Sequence, residues 1–526
     1  MTTIFQNDLT ELLASQPADK PAVWESGKSL SYGHIYGRAL QLSLSLKSTG
    51  YGEKDTTILA VAPSVDLLVI IYGCMMAGIP AAIIDPEMGR ENYQQKLLQL
   101  KPSLAFVDYR LLLLREHPII KAVYFWRNKK GPYFPFVDNC EIIATGKWLP
   151  IISSHIGFGK LVEKPINNAA IRYEKQPANH PVIIVYTSGT LASPKGVVHI
   201  VSSISTSIKL LIDLLKKGEN TALATHLPHF ALIGMSAGIP IHFWKYPMPA
   251  DQQIEFLERH KISTLFGPPS DFLPLIELCN ATGKRLPDCL RSLFFGSAPV
   301  RRAFLEKLLP VLPDGCQVTC LYGMTEHLLI AACDGREKAI LDCEGDFLGT
   351  PFPQVELKIE ADHEISLQSP QLFQRYLEQP DQQGFFPTGD LGYRTPDGQL
   401  VLTGRKKDMI IRRNFNLYPG LYEPTINRIP GVVDCAMVGR WSDAKQDEEV
   451  VLVLETSQPI AEPKIQQMLR SGPFSIDTEA LPDEVVFMPL PRSGRQQKVD
   501  RKALQELVGT KVGEVRNLAD LKPKQP

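Results

Sequence analysis

At 526 residues the chain is too long for one small core and predicts two or more domains. Its 56 Lys and Arg offset 57 Asp and Glu, which excludes a global field drawing it to nucleic acid or to an anionic membrane. The 44% apolar and 21% charged content is that of an ordinary soluble globular protein. Nine cysteines are scattered singly, and the nearest pair, Cys316 and Cys320, has neither CxxC spacing nor flanking ligands, so thiols are expected rather than a zinc site or disulfides. The start, MTTIFQNDLTELLA, lacks a basic segment and carries Asp8 and Glu11 where an apolar core would be needed, so a reducing, cytoplasmic location is expected.

In chain order, TTILAV (56–61) reads as a strand. The uncharged stretch from Leu67 to Ile84 reaches the minimum of about 18 residues for a membrane span, but Gly78 and Pro80 break it into a buried helix, a turn and a short strand. AAIID, RENYQQKLLQLK and SLAFVD continue a β-α-β rhythm. The middle repeats it with QQIEFLERH, STLFG, SDFLPLIELC, RSLFFGSAP, RRAFLEKLLPVL and CQVTCLYG, which predicts mostly parallel, covered sheets. Ligands of such sheets lie at carboxyl ends of strands, where TSGT, GPPS, GSAP and YGMTE stand. From about Glu356 shorter strands take over, with Asp397-Gly398 as a hairpin signal. GRKKD (404–408) then reads as a linker into a small last domain with a polar tail.

The stretch VIIVYTSGTLASPKGVVHI (182–200) joins an apolar strand to a phosphate-cradle composition. Thr187, Ser188 and Thr190 offer hydroxyls, Gly189 and Gly196 allow close backbone approach, and Lys195 supplies a cation. It departs from G-x-x-x-x-G-K-[ST] at Pro194 and Gly196, which argues against a kinase-like P-loop.

YTSGTLASPKG resembles the signature loop of the adenylate-forming superfamily, which includes acyl-CoA synthetases, luciferases and nonribosomal peptide adenylation domains. Further matches follow in that family's order. FFGSAPV resembles the adenine-holding segment, implying Gly296, Ser297 and Ala298 against the base. LYGMTEH resembles YGxTE, implying Tyr322 and Gly323 at the adenine, Thr325 at the α-phosphate and Glu326 as the magnesium ligand. TGD (388–390) implies that Asp390 holds the ribose hydroxyls. GRKKDMII implies Arg405 at the ribose and Lys407 as an interdomain hinge. PRSGRQQKVDRKAL implies Lys498 as the catalytic lysine. The likeness extends, less sharply, to the N-terminal region.

These residue types suit the chemistry. Attack of a carboxylate on an α-phosphate brings two anions together, so magnesium at Glu326 and the Lys498 ammonium would offset the repulsion. Three departures stand out. Gln497 replaces the glycine usual before the lysine, with a rebuilt turn expected. Asn414 replaces another glycine, at a position where asparagine tolerates a left-handed backbone. Ala231 occupies the place of an aromatic or histidine over the substrate carboxylate. His226 and His229 lie out of register there and are read as structural.

The Ala231 departure, with IIDPEMGRENY, GPPS and LYPGLYEP, is similar to the subgroup of olefin-pathway β-lactone synthetases and fatty-acid CoA ligases. The resemblance implies an α/β fold. Residues 1–404 form a large multi-sheet domain of doubly wound parallel sheets with a small β-barrel-like part, and residues 405–526 a small mobile α+β domain. It implies ATP and Mg2+ as cofactors, CoA as co-substrate and a fatty carboxylic acid as substrate, held around His229, Ala231, Gly267, Pro268 and Met324. Closure of a 3-hydroxy acid on itself, transfer to an acyl carrier protein, and a degenerate nucleotide-binding protein remain the alternatives.

Overall fold

The computed structural model describes residues 8–25, 27–84, 90–122, 139–146, 155–163, 174–186, 195–216, 221–244, 248–412, 415–442, 447–493 and 497–509. The stretch that could have passed for a membrane span is a helix, Val65–Ala77, followed by the strand Ala81–Ile83. Ser64 caps the helix by accepting the Leu67 N–H at 3.3 Å, and Gly78 ends it at φ 76°, a conformation that glycine adopts without steric cost. Every helix residue but Asp66 is buried, so apolar side chains on all sides pack within the main core. Among the described residues no helix is long and apolar enough to cross a membrane.

That helix lies against an eight-stranded sheet. Pro181–Tyr186, Ala81–Ile83, Thr57–Ala60, Leu104–Asp108, Glu141–Thr145 and Ile156–Gly157 run parallel in this spatial order. Gly196–Ile200 and Arg375–Tyr376 extend it antiparallel beyond Pro181–Tyr186. A thirteen-stranded sheet carries the rest. Its parallel half is Pro21–Glu25, Ile241–Phe243, Leu223–Thr225, Thr264–Gly267, Ser292–Phe295 and Gln317–Met324, with Lys28–Ser31 antiparallel at the outer edge.

Beyond Gln317–Met324 the pairing turns antiparallel through His327–Asp334, Asp346–Pro351, Leu400–Arg405, Phe386–Arg394, Glu364–Gln368 and Glu356–Ile359. The sheet is therefore mixed where sequence rhythm alone predicts mostly parallel strands. Short turns such as Thr325-Glu326 and the Thr395–Gln399 loop join only antiparallel neighbours. Gly398 takes φ 80° in that second loop, as the Asp-Gly signal predicts. The part expected to be barrel-like is this antiparallel half, which joins the parallel half where Gln317–Met324 pairs with His327–Asp334.

The smaller C-terminal domain has a sheet of Val432–Ser442, Asp447–Thr456 and Glu484–Phe487, flanked by helices Pro419–Ile426, Glu462–Arg470 and Arg501–Gly509. It buries apolar clusters of its own, around Leu452 and Ile465 on one face of the sheet and Val451 and Leu504 on the other. The chain is thus an α/β protein with a large multi-sheet N-terminal domain and a smaller C-terminal one.

Candidate active site

The two large sheets meet at the tip of a hairpin. Pairing of Met324 with His327 leaves Thr325 and Glu326 as its two-residue turn. The strand bulges at Gly323, where a Cβ would stand 2.0 Å from the Leu328 carbonyl oxygen, so only glycine fits. Three hydrogen bonds fasten the tip. His199 Nε2 donates to the Thr325 carbonyl at 2.7 Å, the Phe373 N–H donates to the Glu326 carbonyl at 2.9 Å, and the Tyr376 hydroxyl donates to Glu326 Oε1 at 2.8 Å. His199 and Tyr376 belong to adjacent strands of the eight-stranded sheet, registered by Tyr376↔Val197. Glu326 is left only 6% exposed.

Burial pushes the His199 imidazole down to about 4, so at neutral pH it is an uncharged donor to the tip. Burial, and then the Glu326 carboxylate, raise the Tyr376 phenol, which keeps its proton. Lys195 places its ammonium 5.0 Å from the centre of the Tyr376 ring, a cation–π contact that brings the cation to the tip.

One strand residue back, Tyr322 leads to a second cluster. Its hydroxyl donates to Asp390 Oδ2 at 2.6 Å, and Arg405 Nε donates to Oδ1 at 2.9 Å. Asp390 and Arg405 are cross-strand partners, and Asp390 is 2% exposed. Gly389 at φ 74° turns the backbone there, while the Thr388 hydroxyl accepts the Asp390 N–H at 3.1 Å. Burial and the adjoining Asp390 carboxylate raise the Tyr322 phenol well above its ordinary value. Both carboxylate oxygens of Asp390 thus carry a protein donor, and a ligand diol would share them.

Lys498 comes to this cluster from the small domain. It pairs with Ser493 in a short hairpin, and Gln497 before it takes φ 51°. Gln497 thus holds the left-handed conformation that glycine would take without strain, while the residues between Ser493 and Gln497, where a rebuilt turn is expected, lie outside the described residues. Lys498 retains open surface, yet surrounding protein desolvates its ammonium and lowers its pKa. Arg405 and Lys407 add to that shift and Asp390 opposes it.

Gly296, buried, donates its N–H to the Gly267 carbonyl at 3.3 Å, and a Cβ there would lie 3.6 Å from Leu321, next to Tyr322. Ser297 follows at φ 67° and is exposed, Ala298 and Met324 are half-buried, and Gly323 is open. Pro268 is buried at the N-terminal end of helix Pro269–Thr282. His229 reaches the surface, but Ala231 has no exposure and sits within the main core. An aromatic stack, Phe230 on Phe266 at 3.7 Å and Phe266 on Phe294 at 5.4 Å, runs behind Gly267 and Gly296. His226 faces Asp271 at 3.3 Å and accepts from Trp244 Nε1 at 3.0 Å, a satisfied core histidine. Thr187, Ser188, Gly189, Thr190 and Asn414 lie outside the described residues.

Sequence reading missed Tyr376 and Glu364. Tyr376 falls in a two-residue strand whose partner is remote in sequence, so no periodicity marks it. His199 was missed as well, although a lone polar residue in the apolar run GVVHI is a signal for an inward hydrogen bond.

A family model described as AMP-binding enzyme matches residues 10–377. Indoleacetate–CoA ligase of Aromatoleum aromaticum is 25% identical over 519 residues, covering 92% of this chain and 95% of its own. A long-chain-fatty-acid–CoA ligase of Bacillus subtilis is 23% identical, covering 83% and 82%. The amide bond synthetase McbA of Marinactinospora thermotolerans superposes with a TM-score of 0.78 at 19% identity, covering 95% of this chain and 99% of its own, a likeness of fold. With most of the chain matched by that model, the chain belongs to the AMP-binding enzyme family.

Proposed function

We propose that this enzyme activates a fatty carboxylic acid with ATP and passes the acyl group to CoA. The carboxylate oxygen attacks the α-phosphorus, the bond to the β,γ-pyrophosphate breaks, and acyl-AMP and pyrophosphate form. The CoA thiolate then attacks the acyl carbon and AMP leaves. The observation that carries this reading is the convergence of Tyr322, Asp390, Arg405 and Lys498, from three segments far apart in sequence, beside a hairpin tip bearing Thr325 and Glu326.

In this reading Asp390 and Arg405 hold the ribose, Tyr322 and the Gly296–Ala298 turn hold adenine, and Thr325 contacts the α-phosphate. Lys195, with the loop Thr187–Thr190, faces the pyrophosphate, and Lys498 donates to the reacting oxygens. Its protonated form does this work, so a lowered pKa moves the loss of activity down from the usual lysine range. The residues also fit a magnesium ion. Among the described residues no group of three His, Cys, Asp or Glu could hold a metal by itself. A lone carboxylate, Glu326, suits a cation that brings phosphate oxygens and water as its other ligands. Such an ion neutralises phosphate charge. Tyr376 aims the Glu326 carboxylate, and His199 fixes the Thr325 backbone beside it.

Gly267, Pro268, Met324 and the Phe230–Phe266–Phe294 stack supply an apolar wall for the acyl chain. In keeping with the fatty substrate, one of the relatives reported is a long-chain-fatty-acid–CoA ligase. The test is pyrophosphate release with ATP and magnesium over fatty acids and their 3-hydroxy analogues, with and without CoA. CoA-dependent turnover of plain acids supports the CoA ligase. CoA-independent turnover confined to 3-hydroxy acids replaces it with lactone closure, and turnover only with an acyl carrier protein replaces the acceptor.

A further inference from the structure

The turn that leaves the large domain has one foot in each domain. It is a single 3-10 turn, Lys406–Asp408, directly after the strand that ends in Arg405. Lys406 reaches back into the large sheet, with its Nζ 2.7 Å from Glu364 Oε2 and 2.7 Å from Asp362 Oδ2. Asp408 reaches forward, with Oδ2 3.4 Å from Arg501 Nε on the last helix, and Arg501 also holds Glu423 of helix Pro419–Ile426 at 2.7 Å. Lys407 stands exposed between them.

Glu364 is the informative member. Its side chain is 11% exposed, against 52% for Asp362, so the Glu364 pair is the less screened of the two. Its other oxygen, Oε1, accepts the Gly389 N–H at 3.0 Å, inside the turn that presents Asp390. One carboxylate therefore holds the Thr388–Asp390 turn with one oxygen and the interdomain turn with the other. Arg405, one residue before Lys406, holds Asp390 itself.

We propose that Glu364, assisted by Asp362, is a positioning residue that catches Lys406 and so keeps the small domain where Lys498 faces the Asp390–Arg405 pair. The inference rests on the two-step reading above, in which Lys498 serves acyl-AMP formation and thiol attack follows as a separate step. With the catch intact, the arrangement for the first step is favoured. Releasing it lets the turn rotate about Lys407, and a ligand pulling on Asp390 acts on the same carboxylate that holds Lys406.

The experiment uses the full chain, three single variants and the double variant of the first two. Lys406→Gln removes the ammonium. Glu364→Gln keeps an acceptor for the Gly389 N–H but loses the charge. Lys358→Gln is the control, breaking a surface pair with Glu360 on the same sheet. Amide hydrogen exchange of the ligand-free proteins, followed by mass spectrometry, should accelerate at least about fivefold in peptides covering 404–412 and 497–509 in both catch variants, and in neither for Lys358→Gln. The double variant should add nothing to Lys406→Gln alone, which already removes both partners' cation. Unchanged exchange in both catch variants overturns the proposal, whatever the activity.

The second arm separates this inference from the function it rests on. Pyrophosphate exchange into ATP is measured with dodecanoate and 3-hydroxydodecanoate, and thioester formation is measured from preformed dodecanoyl-adenylate and CoA. Both catch variants should lose about tenfold in the first and change less than about twofold in the second. Equal losses in both steps overturn the positioning role. Absence of both reactions in the unaltered enzyme overturns the function, while hydrogen exchange still decides the catch.

Discussion

Lys498 is the residue on which the proposed chemistry turns. Lys498→Ala should lower acid-dependent pyrophosphate exchange by about 10²- to 10³-fold, because it removes a preplaced cation from the charge that develops at the α-phosphate. Nucleotide binding, measured by calorimetry with AMP, should stay within about twofold, since Asp390, Arg405 and Tyr322 remain. Desolvation and the cationic neighbours lower the Lys498 pKa, so the rate should fall with rising pH below the range usual for a lysine. Its neighbour Gln497 stands at φ 51°, a conformation that costs a non-glycine residue about 1 kcal/mol. Gln497→Gly should raise stability by about that amount in urea unfolding, with adenylation retained. Sequence alone pointed to both residues. The backbone angle of Gln497 was not legible there, because a residue's letter does not carry its φ.

At the scale of the element, the hairpin Gln317–Asp334 does most to build the site. Its bulge leaves no room for a side chain at Gly323, where an added Cβ would meet the Leu328 carbonyl at 2.0 Å. Gly323→Ala should therefore destabilise the protein by more than about 2 kcal/mol and lower its thermal midpoint, with loss of pyrophosphate exchange at temperatures where the fold survives. Several helices and parallel strands before this point were readable from periodicity and from glycine and proline breaks, as for Val65–Ala77 and its Gly78 stop, whereas short strands such as Leu223–Thr225 and Ile241–Phe243 were not. What periodicity cannot supply is the lateral order of strands. Tyr376 reaches Glu326 only because Arg375–Tyr376 pairs with Gly196–Ile200, a long-range match set by the packing of one sheet on the other. Ala231, expected at the acyl pocket from its place in a motif, is fully buried on helix Pro228–Ser236, in the same apolar cluster as Phe230, Phe266 and Phe294.

For the whole molecule, three buried imidazoles set a limit in acid. Burial pushes His199, His242 and His327 down to about 4 from 6.5, with a neighbouring imidazole, His260 for His242 and His199 for His327, a lesser cause. As pH falls below about 6.5 the unfolded chain takes up protons that the folded chain refuses until about pH 4, so stability should be lost progressively through that window. Urea midpoints from pH 7 to pH 4.5 check this, and His327→Gln should flatten part of the slope. Domain count was readable from length and from GRKKD, whereas the contacts that orient the small domain, Asp408 with Arg501 and Lys406 with Glu364, appear only once the chain is folded. The central claim, that this site joins an acid to the α-phosphate of ATP, is met most directly by acid-dependent exchange of labelled pyrophosphate into ATP. The account predicts exchange with fatty acids in the unaltered enzyme and its loss in Lys498→Ala. Release of ADP and phosphate in place of exchange, or equal exchange by Lys498→Ala, would contradict it.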